Sequence, residues 1–364
     1  MSSFIKILII SIFLFLSIDF FFGDKLINFY FSESKPVIKH PVYHHDLDRN
    51  ISKSQIYNNI YKYQLCTNDY GMKSFCNDEK KLKKIDYAFI GDSFTEGVGL
   101  NYEDTFVGLF QNYKKDKKIL NFGVESYSPK IYYRKIKYYL DYGFTLNRLI
   151  VFVDIGDIYD ENIYTFLDDK VQKLDSLDSI NLISKKQNLY YKLKKILKSS
   201  FKISYIIYSK VITLNNKALK NKNSKEYIEK DNFLINSRWT YDNEFSQYDK
   251  IWIENGKKEA LLYMEKLFEL TQKNNIKLSL AVYPWPAQIL HDKNTGLRNY
   301  SSLWKIFCEQ KCEYFINFNE DYHNLKKKYS NNEIVEKYFF NDDVHFNKEG
   351  NYLIFNKLKE IFNE

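Results

Sequence analysis

The stretch Ile85–Gly97, IDYAFIGDSFTEG, runs from residues apolar on both faces directly into a polar turn and then into residues that can open a helix. Further short apolar runs with polar or turn boundaries follow it: KILNFG at 118–123, RLIVFVDI at 148–155, KLSLAVYP at 277–284 and EYFINF at 313–318. Runs of this length, apolar on both sides, suit strands buried between helices in a parallel sheet. Helical patterns lie between them. Asp104 can cap TFVGLFQNY, and Ser128-Pro129 sets an N-cap before a proline at the first helical position of KIYYRKIKYYLDYG, which closes on Gly143. Strand alternating with helix predicts βαβ units and an α/β fold, a three-layer α/β/α sandwich with helices on both faces of the sheet.

The interval from Asp160 to Ile276 breaks this rhythm and reads as a helical insertion over about 160–250. It holds the Lys-rich stretch LYYKLKKILKSSFKISYIIYSKVI, suited to packing or to lying on a membrane surface, and ends in WIENGKKEALLYMEKLFELTQKN, a good helix leading into the fourth strand. Residues 24–84 show little sustained periodicity and read as an irregular arm leading into the main domain at 85–364. Composition sets the outer limits. With 364 residues, 45% apolar content, 32 Tyr and 29 Phe, the chain can bury a large core and is no disordered protein. Its net charge of +8 is spread along the chain rather than gathered in a patch, which argues against a nucleic-acid partner.

The amino-terminal run FIKILIISIFLFLSIDFFFG, residues 4–23, is long enough as a helix to span roughly 30 Å, about one hydrocarbon core. A signal peptide is the competing reading, but no small-x-small site follows the run. The run is therefore expected to be a transmembrane anchor at 1–23, with Lys6 keeping the amino end inside, Asp19 near the outer interface and the rest of the chain on the extracytoplasmic face. Four cysteines fall into two local pairs, Cys66 with Cys76 and Cys308 with Cys312. Two short-range disulfides fit export; a zinc site and buried free thiols are the alternatives, and neither pair has C-x-x-C spacing.

Chemistry concentrates at two places. Ser93 stands immediately after the first strand, where open α/β sheets bind ligands, although a serine there also caps helices. The G-x-S-x-G elbow of lipases is absent, because position 95 is Thr. Near the other end, NDDVHFNKEGNYLIFNKLKEIF places Asp342 and His345 three apart on a loop before an amphipathic helix. A serine nucleophile needs a base for its proton, and that imidazole needs an acceptor to hold its tautomer. Asp342 and His345 can supply both.

Together these blocks resemble the SGNH (GDSL-like) hydrolase superfamily over roughly 86–364: Gly91-Asp92-Ser93-x-x-x-Gly97 after a strand, NFGVESYSP with Gly123 after the second strand, and Asp342-x-x-His345 before the last helix. The resemblance implies a flavodoxin-like, five-stranded parallel sheet, catalysis by Ser93, His345 and Asp342, and an oxyanion hole from the Ser93 and Gly123 amides. It also implies serine esterase chemistry with no cofactor, acting on O-acyl, chiefly O-acetyl, esters of a surface glycan or a small ester. Transfer to a sugar hydroxyl, as in an O-acyltransferase on exported polysaccharide, and a non-catalytic glycan-binding protein are the alternatives. The third block departs from the family's G-x-N-D: Asp154-Ile155-Gly156-Asp157 puts Gly156 where the oxyanion-donating Asn would be. Such a loss costs about 3–4 kcal/mol where a donor of this kind is removed from a protease. The Gly156 amide or another side chain can substitute as donor, or catalysis is weak, and Asp157 is read as a structural hydrogen-bonding group or a ligand for a cation or sugar. Trp285, between Pro284 and Pro286, is a candidate sugar platform or a core residue. His40, His44 and His45 lack the supporting ligands of a metal site and are expected to pack the arm near the cleft.

Overall fold

The computed structural model describes residues 36–58, 60–77, 82–167, 170–173, 237–241, 247–291, 296–341 and 343–363, with scattered residues of 5–23 and 201–207. The chain divides into two compact units, one of 1–35 with 174–227 and one of 36–173 with 228–364. In the larger unit the arm comes first, as two antiparallel hairpins: β1 (Val37–His40) with β2 (His44–Leu47), and β3 (Ser52–Tyr57) with β4 (Tyr61–Cys66). In these strands polarity does not follow burial, since Val37, Ile38 and Ile56 are exposed while Asp46 and Gln55 are buried, so apolar periodicity is faint and the sequence reads as irregular.

The alternating part follows: β5 (Lys84–Ile90), α1 (Ser93–Glu96), α2 (Phe106–Tyr113), β6 (Ile119–Asn121), α3 (Pro129–Asp141), β7 (Thr145–Val153) and α4 (Ile155–Asp160). A small hairpin, β8 (Tyr164–Leu167) with β9 (Lys170–Lys173), precedes α5 (Gln247–Lys273), β10 (Lys277–Val282), α6 (Pro286–His291), α7 (Gly296–Cys308) and β11 (Tyr314–Asn317). The chain ends with α8 (Phe318–Leu325), α9 (Asn331–Tyr338) and α10 (Lys348–Ile361). Helix α2 starts one residue later than its sequence suggests. Thr105, not Asp104, is its N-cap, with its side chain accepting the Gly108 N–H.

The sheet is five-stranded and parallel throughout, in the order β11-β10-β7-β5-β6. The chain steps outward from β5 to β6 and then back across β5 to β7. Right-handed crossovers in opposite directions put α2 and α3 on opposite faces, which covers both sides of strands whose burial is nearly complete. On one face Phe89, Phe106, Phe152 and Phe318 form a continuous aromatic layer, with Phe106 and Phe152 stacked at 4.5 Å. The reversal also opens a crevice at the carboxyl ends of β5 and β7, the place where such sheets bind ligands.

The expected membrane-spanning helix over 4–23 is corrected: among the described residues no helix is long and apolar enough to cross a membrane. Within its own unit Asp19 is buried, and its Oδ1 accepts the Ile203 N–H at 2.5 Å, so the run carries a hydrogen-bonded carboxylate in place of an unbroken apolar surface. The membrane-anchored, extracytoplasmic placement that rested on this helix loses its basis. Cys66 is bonded to Cys76 and Cys308 to Cys312. Apart from a few residues of 201–207, the Lys-rich stretch at 189–212 lies outside the described residues.

Polar anchors buried on both sides hold the arm to the sheet domain. Lys135 of α3, fully buried, donates to Asp46 Oδ1 at 2.9 Å and to the Tyr127 hydroxyl at 3.1 Å. Tyr127 in turn donates to the His45 carbonyl at 2.7 Å, and Lys73 Nζ reaches the carbonyls of Gly97 at 2.6 Å and Leu100 at 2.7 Å. Burial pulls the Lys135 ammonium pKa down, against the pull of Asp46. Removing one member of a buried pair leaves a bare charge, so Lys135→Met is expected to cost about 3–5 kcal/mol. Lys135→Met with Asp46→Leu should recover most of that loss, read from urea unfolding midpoints of the three proteins.

Candidate active site

Strand β5 ends at Ile90 and the chain turns at Gly91, so Asp92 and Ser93 emerge at the crevice. Asp92 caps α1, its Oδ1 accepting the Phe94 N–H at 2.9 Å. The sequence left open whether Ser93 was itself the cap; Asp92 performs that task, which leaves the serine hydroxyl for another partner. That partner is His345, whose Nε2 lies 2.7 Å from Ser93 Oγ, against 3.3 Å for Asp92 Oδ2. The two residues are 252 positions apart and meet because the loop before α10 returns to the mouth of β5.

On its other side, His345 Nδ1 faces Asp343 Oδ1 at 2.5 Å. Asp343 also accepts the His345 backbone N–H at 2.9 Å. This fixes the tautomer: a carboxylate at Nδ1 accepts its proton, which leaves the Nε2 lone pair directed at the serine hydroxyl. Burial pushes the Asp343 carboxyl up, but the charge of His345 and the hydrogen bonds from His345 and Tyr57 outweigh it and hold the group well below the usual carboxylate range. Asp343 therefore stays ionised. The Phe94 ring packs 4.8 Å from the imidazole and shields one of its faces. The expected acid, Asp342, lies outside the described residues, and the carboxylate that the structure sets against His345 is its neighbour Asp343.

The other expected site residues are placed as follows. Gly123 was expected to offer its amide to an oxyanion, but its N–H donates to Asn121 Oδ1 at 2.9 Å, and the Asn121 amide donates to the Thr95 carbonyl at 2.7 Å. Asn121 thus ties the end of β6 to α1 and engages that amide. Trp285 is no open platform: it is buried, and its Nε1 donates to Asp154 Oδ2 at 2.7 Å. Its ring also accounts for Gly156. A Cβ at that position would lie 2.8 Å from the indole Cζ2, so the indole fills the space that the family's Asn side chain would need. Asp157 is buried too, with Oδ2 accepting the Asp154 N–H at 3.0 Å and the Tyr132 hydroxyl at 2.8 Å; with Asp154 it forms a capping box at the start of α4. The N–H groups of Ser93 and Gly156 take no partner among the described residues.

Asp92, Asp154 and Asp157 lie close enough to share a cation, with one ligand atom of each within 4.8 Å of the others. Protein donors already occupy these oxygens, the Tyr283 hydroxyl on Asp92 at 3.2 Å among them. Burial drives all three carboxyls up, Asp154 to about 6, with mutual charge adding to the effect on Asp92 and Asp157. Shared protons and hydrogen bonds thus satisfy the group. The arm histidines pack locally: His40 stacks on Tyr43, and His45 Nε2 meets the Glu125 carbonyl at 2.8 Å.

No family model matches the chain. Among curated proteins it is 26% identical over 218 residues to the N-acylneuraminate cytidylyltransferase of Escherichia coli O18:K1:H7 (strain RS218 / NMEC), a match covering 56% of this chain and 45% of that protein. The chain thus spans less than half the length of the curated relative it matches. Among solved structures it is similar to a member of the lipolytic protein G-D-S-L family from Veillonella parvula DSM 2008, at 12% identity over 77% of this chain and 98% of that one, with a TM-score of 0.40. It is similar also to Axe2, an acetylxylan esterase from Geobacillus stearothermophilus, at 12% identity over 76% of this chain and 93% of that one, with a TM-score of 0.40. Likeness at this level carries no chemical weight, and the chemistry below rests on the side chains of the site.

Two outcomes follow from this geometry. Asp343→Asn should lower kcat on an acyl ester by roughly 10³–10⁴-fold, because an amide at Nδ1 permits the wrong imidazole tautomer. Asp342→Asn should leave kcat within a few-fold of wild type, and the reverse ranking would return the acid to Asp342. At the third block, Gly156→Ala should destabilise by about 1–3 kcal/mol through overpacking against the indole. That cost should fall sharply in a Trp285→Ala background, as a double-mutant cycle from thermal unfolding would show.

Proposed function

We propose that the chain is a serine ester hydrolase of SGNH type that cleaves O-acyl esters, with O-acetyl groups of a glycan as the substrate class. The observation that carries this reading is the line Ser93 Oγ to His345 Nε2 at 2.7 Å and His345 Nδ1 to Asp343 Oδ1 at 2.5 Å. The three side chains lie in the order that base-assisted nucleophilic attack requires. A protein that kept this fold only for binding would have no need of an imidazole held in one tautomer against a serine.

Ser93 Oγ attacks the acyl carbonyl while His345 Nε2 takes its proton, and the resulting imidazolium is stabilised by ionised Asp343. The carbonyl oxygen becomes an oxyanion, for which the Ser93 and Gly156 N–H groups, without a protein acceptor among the described residues, are the proposed donors. His345 then returns the proton to the leaving alkoxide, and the acyl group is left on Ser93. Water, deprotonated by the same Nε2, releases the acid and restores the serine.

Ser93→Ala should abolish labelling by a fluorophosphonate probe and lower 4-nitrophenyl acetate turnover at least about a thousandfold. Turnover at the wild-type rate would remove Ser93 as nucleophile. Release of acetate from O-acetylated oligosaccharides well above that from simple alkyl acetates is expected for the glycan assignment.

A further inference from the structure

The Asp343 carboxylate has one oxygen served by its own loop and one served from elsewhere. Oδ1 takes the His345 backbone N–H and Nδ1. Oδ2 takes nothing from that loop: it accepts the Tyr57 hydroxyl at 2.7 Å and the Asn58 side-chain amide. Both donors sit at the tip of the β3–β4 hairpin, in the arm, more than 280 positions earlier in the chain. The Tyr57 oxygen also lies 2.7 Å from His345 Nδ1. Since the Nδ1 proton goes to Asp343 Oδ1, the phenol donates its own proton to Oδ2 and presents its oxygen to Nδ1–H as a second acceptor.

The hairpin is built to hold this hydroxyl in place. Gly99, at φ 82°, lets the Tyr57 ring pass where a Cβ would come within 2.7 Å of its Cδ1. Phe340 closes the other side, 5.7 Å from Tyr57 and 4.4 Å from Tyr61, and the Asn341 N–H donates to the Tyr61 hydroxyl at 3.4 Å. Asn58 takes a left-handed φ of 49°, which turns its amide back toward Asp343. The aromatic clamp and the two donors thus meet on the short turn that carries both Asp343 and His345.

We propose that Tyr57 is a positioning residue for the Asp343–His345 pair, so that the arm hairpin completes the active site. This rests on the esterase reading above. Tyr57 fixes the rotation of the carboxylate, and by holding charge on Oδ2 it limits how strongly Asp343 stabilises the imidazolium. Burial, reinforced by Asp343, raises the phenol well above its usual range, so it remains a donor at every working pH. Among the described residues, Asp343 meets His345, Tyr57 and Asn58; His345 meets Ser93, Tyr57 and, at longer range, Asp92; Glu125 and Tyr63 act on Tyr57 from a distance.

The test is the pH dependence of kcat/KM on 4-nitrophenyl acetate for the full chain, Tyr57→Phe, Asn58→Gly and Tyr61→Phe, with thermal unfolding of each. Asn58→Gly keeps the left-handed backbone while removing the second donor to Oδ2. Loss of either donor concentrates charge opposite the imidazolium and stabilises it, an effect that in Tyr57→Phe exceeds the loss of the neutral hydroxyl as a second acceptor for Nδ1–H. The acid limb should therefore move up by roughly half to one pH unit, a three- to tenfold loss of rate on that limb, in both Tyr57→Phe and Asn58→Gly. Tyr61→Phe, which removes a hydroxyl from the same hairpin without touching the pair, should leave the limb where it is. A uniform fall in rate with an unmoved limb, or the same shift in Tyr61→Phe, would overturn the proposal. Undiminished activity of Ser93→Ala would instead overturn the esterase reading itself.

Discussion

The reversal of chain direction between β5, β6 and β7 is the constraint on which the site depends. Because the two crossovers leave in opposite directions, the carboxyl ends of β5 and β7 are not roofed by a connection, and the loops carrying Ser93 and Asp154 face the same crevice. The turn with Asp343 and His345 needs only to close over that opening. Its backbone is pinned by the exchange between Phe340 and His345, with the Phe340 N–H on the His345 carbonyl at 3.0 Å.

Behind the serine the protein holds polar groups that do not take part in attack. Asp92, Asp154 and Asp157 are buried against Tyr132, Tyr283 and Trp285, whose hydroxyls and indole N–H satisfy them. In a medium of low dielectric, adjacent carboxylates cannot all be charged, and their raised pKa values express that. Burial and mutual charge disfavour ionisation of these groups, whereas Asp343, beside the imidazole, is held in its charged form. The exchange of a side chain at position 156 for an indole from the loop after β10 belongs to the same arrangement: Trp285 fills the volume and Asp154 takes its N–H.

The arm packs Tyr43, Leu47, Leu65 and Met72 into the core and is oriented there by pairs of buried polar groups. Lys135 with Asp46, Tyr127 with the His45 carbonyl, and Lys73 with two carbonyls are each buried and directional, so they fix one docking geometry. That precision allows a hairpin tip to deliver two hydrogen bonds to one carboxylate oxygen. A loosely packed arm could cover the crevice but could not hold a phenol within 2.7 Å of both Asp343 and His345.

The sequence by itself determined the layered fold, because buried parallel strands are apolar on both faces and IDYAFI, RLIVFVDI and KLSLAVYP show that pattern directly. It also placed Ser93 and His345, since one follows a strand and the other precedes an amphipathic helix. Tertiary structure decided the remainder. That Asp343 meets the imidazole depends on side-chain direction in an irregular turn, and no periodicity encodes that. The engagement of the Gly123 amide by Asn121, the burial of Trp285 against Gly156 and the arrival of Tyr57 from a faintly patterned hairpin are contacts between distant segments. A one-dimensional pattern records which faces are buried, but not what each buried polar group touches.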